Sequence, residues 1–333
     1  MNTGMQPDPK PGRPAHDIAM WGAPGSGKTT LLAALDIALM RRDDDWRIVG
    51  SDPASSEFLI ERTNALSSGK VFPEASQGLE HYHWTLYGPG ERHRRRWWRK
   101  AGRPEPFEVG IGMIDAPGGL FSAGPRRLDY GPDVLDDLRE RMLNDLVKSR
   151  GIVFLFDPIR EFERGDAFDH LHPPLKRLTE RMRDLGRLTG GRLPHHVAVC
   201  VTKFDDPRVL ETAEKMHLLA PEPDDPYGFP RVSDDDAQDL FRQLCDLSAN
   251  GNADMVLNAL GRYFHPDRVR FFVTSSIGFY VHPQTRAFDW HDYQNLLPED
   301  DDLRIRGPIH PINVVEPMLW LGRRLAADKE TPR

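Results

Sequence analysis

Residues 18–30 read Ile-Ala-Met-Trp-Gly-Ala-Pro-Gly-Ser-Gly-Lys-Thr-Thr, and no other stretch restricts the fold of this chain as much. A short apolar run, Ile18 to Trp21, enters a glycine-rich turn, and Leu31 to Met40 follow at helical spacing. Gly22, Gly27, Lys28 and Thr29 match the spacing G-x-x-x-x-G-K-[ST]. The chemistry explains that spacing. A polyphosphate needs several backbone N–H groups aimed inward, and only glycines let the chain wrap so tightly. The helix that begins near Lys28 adds the positive end of its dipole. The nine residues Gly22, Ala23, Pro24, Gly25, Ser26, Gly27, Lys28, Thr29 and Thr30 are therefore the expected phosphate contacts. Lys28 is expected to reach the β- and γ-phosphates, and the Thr29 hydroxyl to ligate Mg²⁺.

The 333 residues suffice for one large domain or two small ones. The net charge of −7 argues against bulk nucleic-acid binding by the whole surface. Cys200 and Cys245 make no disulfide framework. No apolar run reaches the roughly 18 residues of a membrane span. Met1 to Pro14 is polar, carries four prolines and lacks an apolar signal core, so residues 1–15 are expected to be disordered and the protein cytoplasmic. Nine of the 44 basic residues are lysine, a bias that suggests a GC-rich bacterial genome.

Along the chain, strands are expected at 16–21, 46–51, 81–87, 107–114, 151–156, 196–201 and 269–273. Helices are expected at 28–41, 54–66, 133–147, 174–188 and 314–327. The runs 151–156 and 196–201 are continuously apolar, the mark of strands buried on both faces. The strands at 81–87 and 107–114 bracket a long basic tip and suggest an antiparallel hairpin. Strands alternating with helices imply an α/β fold with a mostly parallel sheet, with one antiparallel hairpin strand. Its ligands are expected beyond the carboxyl ends of the strands. Residues 16–328 are read as a single domain with insertions at about 89–106, 206–264 and 277–310, the first a long basic loop and the other two helical.

Two further motifs sit at strand ends. Asp115 closes an apolar strand, where a carboxylate directed at Mg²⁺ must sit, and Gly118 lets a backbone N–H approach a γ-phosphate. Thr202-Lys203-Phe204-Asp205 follows the strand at 196–201. An aspartate there can accept from guanine N1–H and its exocyclic amine, a donor pair adenine lacks, while the Lys203 stem lies along the base.

The order of these motifs resembles that of Ras-like P-loop GTPases of the translation-factor-related class. The resemblance covers roughly residues 16–276 and the closing helix. It implies a three-layer P-loop NTPase fold, GTP or GDP with Mg²⁺ as cofactors, and base reading by Thr202, Lys203 and Asp205. Thr274-Ser275-Ser276 resembles the family's fifth motif, with Ser275 and Ser276 beside the base and the Ser276 N–H facing guanine O6. Ser276 and Ile277 stand where the family has alanine and lysine. For the switch I position that ligates Mg²⁺ the resemblance points to Ser76. Gly119 occupies the place of the water-orienting glutamine, which implies slow hydrolysis helped by a residue from elsewhere; Arg126 is the candidate in cis. The texture is similar to bacterial GTPases encoded with conflict or effector systems, the double-GTPase-like group, which suggests a homo- or heterodimer with another GTPase.

The segment Arg92 to Lys100 carries six arginine or lysine residues and two tryptophans. A solvated tip, an effector-protein interface and an anionic membrane or nucleic-acid contact are all open readings. The expected activity is a GTP-binding switch that controls partner binding. A non-hydrolysing nucleotide scaffold and a P-loop ATPase or kinase are the alternatives. The histidines show no metal-ligand spacing.

Overall fold

The computed structural model of the chain describes residues 17–72, 81–89, 107–114, 132–222, 225–299 and 302–330. Its first strand, β1 (Ile18–Gly22), runs into helix α1 (Lys28–Met40). Then come β2 (Arg47–Gly50), α2 (Pro53–Asn64), β3 (His81–Gly88) and β4 (Phe107–Ile114). Helix α3 (Pro132–Lys148) leads to β5 (Gly151–Phe156), α4 (Pro158–Arg164) and α5 (Ala167–Asp184). Strand β6 (His196–Val201) precedes α6 (Pro207–Lys215), β7 (Leu219–Pro221), β8 (Pro230–Val232), α7 (Ala237–Asp246) and α8 (Asp254–Tyr263). The chain closes with β9 (Val269–Val273), β10 (Leu296–Glu299), β11 (Asp302–Ile305) and α9 (Glu316–Glu330).

Seven strands form the central sheet in the order β2-β3-β4-β1-β5-β6-β9. Strands β4, β1, β5, β6 and β9 are mutually parallel, while β3 pairs antiparallel with both β4 and β2. A single strand, β3, therefore runs against the other six, as the sequence suggests. The sheet is buried on both faces. Along β5, Ile152, Phe154 and Phe156 point into one apolar core, and Val153 and Leu155 into the other. The first core receives helices α3 to α8, and the second receives α1, α2 and α9. The result is a three-layer α/β fold. The connection after β1 runs through α1 in the second core to β2, and the one after β4 runs through α3 in the first core to β5, so the carboxyl ends of β1 and β4 form a topological switch point where such sheets open a crevice.

Two segments depart from the sequence reading. Helix α5 starts at Ala167 although Pro173 and Pro174 lie inside it. Two prolines oppose a helix interior, but burial of Ala167, Leu171, Leu175, Leu178 and Met182 along one face carries it through them. Among the described residues of 277–310 none is helical; β10 and β11 pair antiparallel, and Ile305 N–H donates to Lys70 O at 3.2 Å. The stretch 207–264 is helical as expected but also holds the small β7–β8 hairpin. No helix among the described residues is long and apolar enough to cross a membrane.

Candidate functional site

The glycine-rich loop sits at the switch point, between the end of β1 and the start of α1. Gly25 and Gly27 have φ of 73° and 92°, the left-handed region that side chains disfavour. A Cβ on either would meet no atom within 4 Å, so the backbone angle, not crowding, requires glycine there. Gly22 is required for the opposite reason. Its added Cβ would fall 2.5 Å from Ser26 Oγ and 2.8 Å from Leu155 O. The loop closes through Ser26 N–H donating to Ala23 O at 3.1 Å, and α1 begins with Leu31 N–H donating to Gly27 O at 2.7 Å.

No side chain caps the N-terminus of α1. The first-turn N–H groups of a helix have no intrahelical acceptor, so this end offers donors to an anion. Lys28 Nζ folds back over the loop and donates to Gly22 O at 3.0 Å and Ala23 O at 3.2 Å. Left-handed glycines over open space, an uncapped helix N-terminus and a lysine at its mouth are the donor set a polyphosphate needs. The residues Gly22 to Thr30 thus fit a nucleotide's phosphates.

Two strands away, about 10 Å at the usual strand spacing, β6 delivers the second loop. Thr202 anchors it to β5, its N–H and Oγ1 both donating to Phe156 O at 2.9 and 3.1 Å. Lys203 follows with φ of 59°, a backbone state uncommon for a residue with a side chain. Its Nζ pairs with Asp157 Oδ2 at 2.7 Å. Phe204 is fully buried, and its N–H donates to Thr274 O at 3.1 Å. Its ring meets the Phe279 ring edge-on, with centroids 5.6 Å apart. The loop is thus tied to β5 on one side and to the end of β9 on the other.

Asp205 lies between those ties. Ser275 Oγ donates to Asp205 Oδ1 at 2.5 Å and accepts from Gly278 N–H at 2.8 Å. Burial pushes the Asp205 carboxyl up to about 6, against the opposing pull of the Ser275 hydrogen bond. Ser276 is half-buried beside it, and Ile277 is buried in the second core. A hydrophobic side chain at 277 therefore serves packing.

Sequence reasoning missed Asp157. Its Oδ1 caps α4 by accepting from Ile159 and Arg160 N–H at 3.0 and 3.1 Å, leaving Oδ2 for Lys203. A signal for it exists: an aspartate followed by proline, directly after a buried strand, is a helix start. Strand β4 ends at Ile114. Asp115, Gly118, Ser76, Arg126 and the segment Arg92 to Lys100 lie outside the described residues.

No known family profile matches this chain, and no curated protein matches it. Several solved structures are similar to it. One is Sup35 complexed with GDP, at 11% identity and TM-score 0.30, covering 83% of this chain and 40% of that one. Another is the complex of signal recognition particle receptor SRb-GTP with SRX from Chaetomium thermophilum, at 14% identity and TM-score 0.32, covering 78% and 90%. A third is the GTPase-like domain of S. cerevisiae Ski7 bound to GTP, at 12% identity and TM-score 0.38, covering 96% and 52%. The chain thus spans about two fifths of the Sup35 structure and about half of the Ski7 structure. Likeness of this degree identifies neither a family nor an activity for this chain.

Proposed function

We propose that this chain is a guanine-nucleotide-binding switch with slow GTP hydrolysis, whose bound nucleotide controls its affinity for a partner. One observation carries the reading. The glycine-rich loop and the Thr202–Asp205 loop open at the same sheet edge, two strands apart, with an aspartate set by Ser275 at the far side. That span suits a nucleotide laid across β1, β5 and β6, phosphates on the N-terminus of α1 and base against Asp205.

Each group then has a stated task. The N–H groups from Gly25 to Thr30 and Lys28 Nζ take the phosphates, and Lys28 leaves its two loop carbonyls to do so. The ionised Asp205 accepts the two guanine donors, and the Lys203 stem, steadied by Asp157, lies along the base. Thr29 and, beyond the described residues, Asp115 and Ser76 would hold Mg²⁺. When bound, Mg²⁺ neutralises charge on the phosphate oxygens. Gly118 would sense the γ-phosphate, and Gly119, at the position of a water-orienting glutamine, offers no carboxamide, which is the basis for slow turnover. Arg126 is the proposed cis supplement.

Partner control is proposed through an effector protein at the Arg92 to Lys100 segment, in a cytoplasmic bacterial setting and with dimerisation through another GTPase. Gly119 also favours a second reading, a nucleotide scaffold that does not hydrolyse. Single-turnover assays with labelled GTP and Mg²⁺ separate the two. Release of phosphate, slow but lost in Lys28→Ala, is the expected result. Bound GTP that stays intact for many hours would favour the scaffold. Preferential binding of ATP would reject both in favour of the ATPase reading.

A further inference from the structure

The phosphate loop is held from behind by a residue outside all the sequence motifs. Arg160, on α4, donates from Nη1 to Pro24 O at 3.0 Å. Its other donors are committed. Nε and Nη2 grip Asp166 Oδ1 and Oδ2 at 2.7 and 2.6 Å, and Nη2 lies 3.2 Å from His170 Nε2. The guanidinium is thus a rigid fork, only 13% exposed. Its helix is fixed in turn. The neighbouring Glu161 is buried, takes Ala167 N–H at 2.9 Å and Ser248 Oγ at 2.5 Å, and accepts Ala249 N–H on its carbonyl at 3.3 Å.

The consequence follows from peptide planarity. In a trans peptide the carbonyl and the next N–H point in opposite directions. Holding Pro24 O towards Arg160 therefore aims Gly25 N–H away from it. Gly25 is a glycine at φ 73°, so this peptide plane would otherwise rotate at little cost. A flipped plane would present a carbonyl to the phosphates in place of a donor.

We propose that Arg160 is a positioning residue that locks the Pro24–Gly25 peptide so that Gly25 N–H faces the β-phosphate. The inference rests on the nucleotide-site reading above and adds to it the residue that sets the loop's donor geometry. Asp166 holds the fork, so it acts through Arg160.

The test is a ratio of affinities. GDP and GMP binding are measured by calorimetry for the wild type, Arg160→Ala, Arg160→Lys and Asp166→Asn, each checked by thermal melting. GMP presents only the phosphate nearest the ribose and does not need Gly25. The expected result is GDP affinity about tenfold lower in Arg160→Ala, with GMP affinity within about twofold of wild type, as loss of one aimed hydrogen bond implies. Arg160→Lys and Asp166→Asn should move the ratio the same way by a smaller factor, and they decide the question if Arg160→Ala does not fold. General loosening of the fold would lower both affinities together and leave the ratio unchanged. An unchanged ratio overturns the proposal while GDP binding by the wild type keeps the nucleotide site. A wild type that binds neither ligand overturns both.

Discussion

The glycine-rich loop takes its shape chiefly from backbone, with the Arg160 side chain holding one of its carbonyls from outside, whereas the loops around Asp205 take theirs from side chains. Around Gly25 and Gly27 the left-handed φ angles and the uncapped start of α1 do the shaping, and the residues involved are consecutive. Around Asp205 the shaping comes from Lys203 paired with Asp157, Ser275 bonded to Asp205, and Phe204 set against Phe279. Those residues come from three strand ends and an insertion. A backbone site binds any nucleotide's phosphates, because its donors are common to every sequence that can make the turn. A side-chain site discriminates, because each partner has one chemistry. On the proposed reading, the difference divides the labour: affinity to the first region, selectivity to the second.

Lys28→Ala is the largest way to strain that division. Removing a cation from a polyphosphate site should weaken GDP and ADP alike by about 100-fold, measured by calorimetry. If it changed the preference for guanine instead, the two regions would not be separable.

Ser275→Ala sharpens the other side. It removes a short hydrogen bond to Asp205 and an acceptor for Gly278 N–H. Competition between GDP and ADP should show guanine preference about tenfold lower, on the order of 1.4 kcal/mol, with ADP affinity unmoved. Equal loss for both nucleotides would mean that Ser275 supports the fold and not the selectivity.

Acidification gives the smaller, reversible version. Burial raises the Asp205 carboxyl to about 6. On the proposed reading its ionised form accepts from guanine, so guanine affinity should be present above pH 6 and lost as pH falls through 6. By about pH 5 the decline should be up to about tenfold, and ADP should not follow it. The sign for stability is opposite, since a raised carboxyl favours the folded chain at low pH and that contribution is lost as pH rises through 6. A guanine affinity flat from about pH 7.5 to about pH 5 would remove Asp205 from base recognition.

The same contrast explains what is legible in the sequence. The loop from Gly22 to Thr30 is legible because its geometry is local, and spacing alone fixes a tight turn before a helix. The buried strands at 151–156 and 196–201 are legible because continuous apolar runs leave few alternatives. Thr202 to Asp205 is legible as a motif, but what holds it is not. Asp157 and Ser275 reach Lys203 and Asp205 only after β5, β6 and β9 are paired, and pairing carries no local signature. Helix α5 begins before the point that propensity suggests. Pro173 and Pro174 outweigh their neighbours locally, while the fold weighs the buried face of the whole helix. The β10–β11 pair leaves little trace in the sequence because its strands have four residues each and expose Leu297 and Leu303.

On the proposed reading, one carboxylate, Asp205, sets base choice in a site that would hold any nucleotide's phosphates. Calorimetric titration of wild type and Asp205→Asn with GDP and with ADP, at about pH 7.5, where the carboxylate is ionised, tests it most directly. The wild type should prefer GDP, and Asp205→Asn should lose that preference by about 100-fold while ADP affinity stays within about twofold. A wild type that binds ADP as tightly as GDP, or a variant that keeps its preference for GDP, would contradict it.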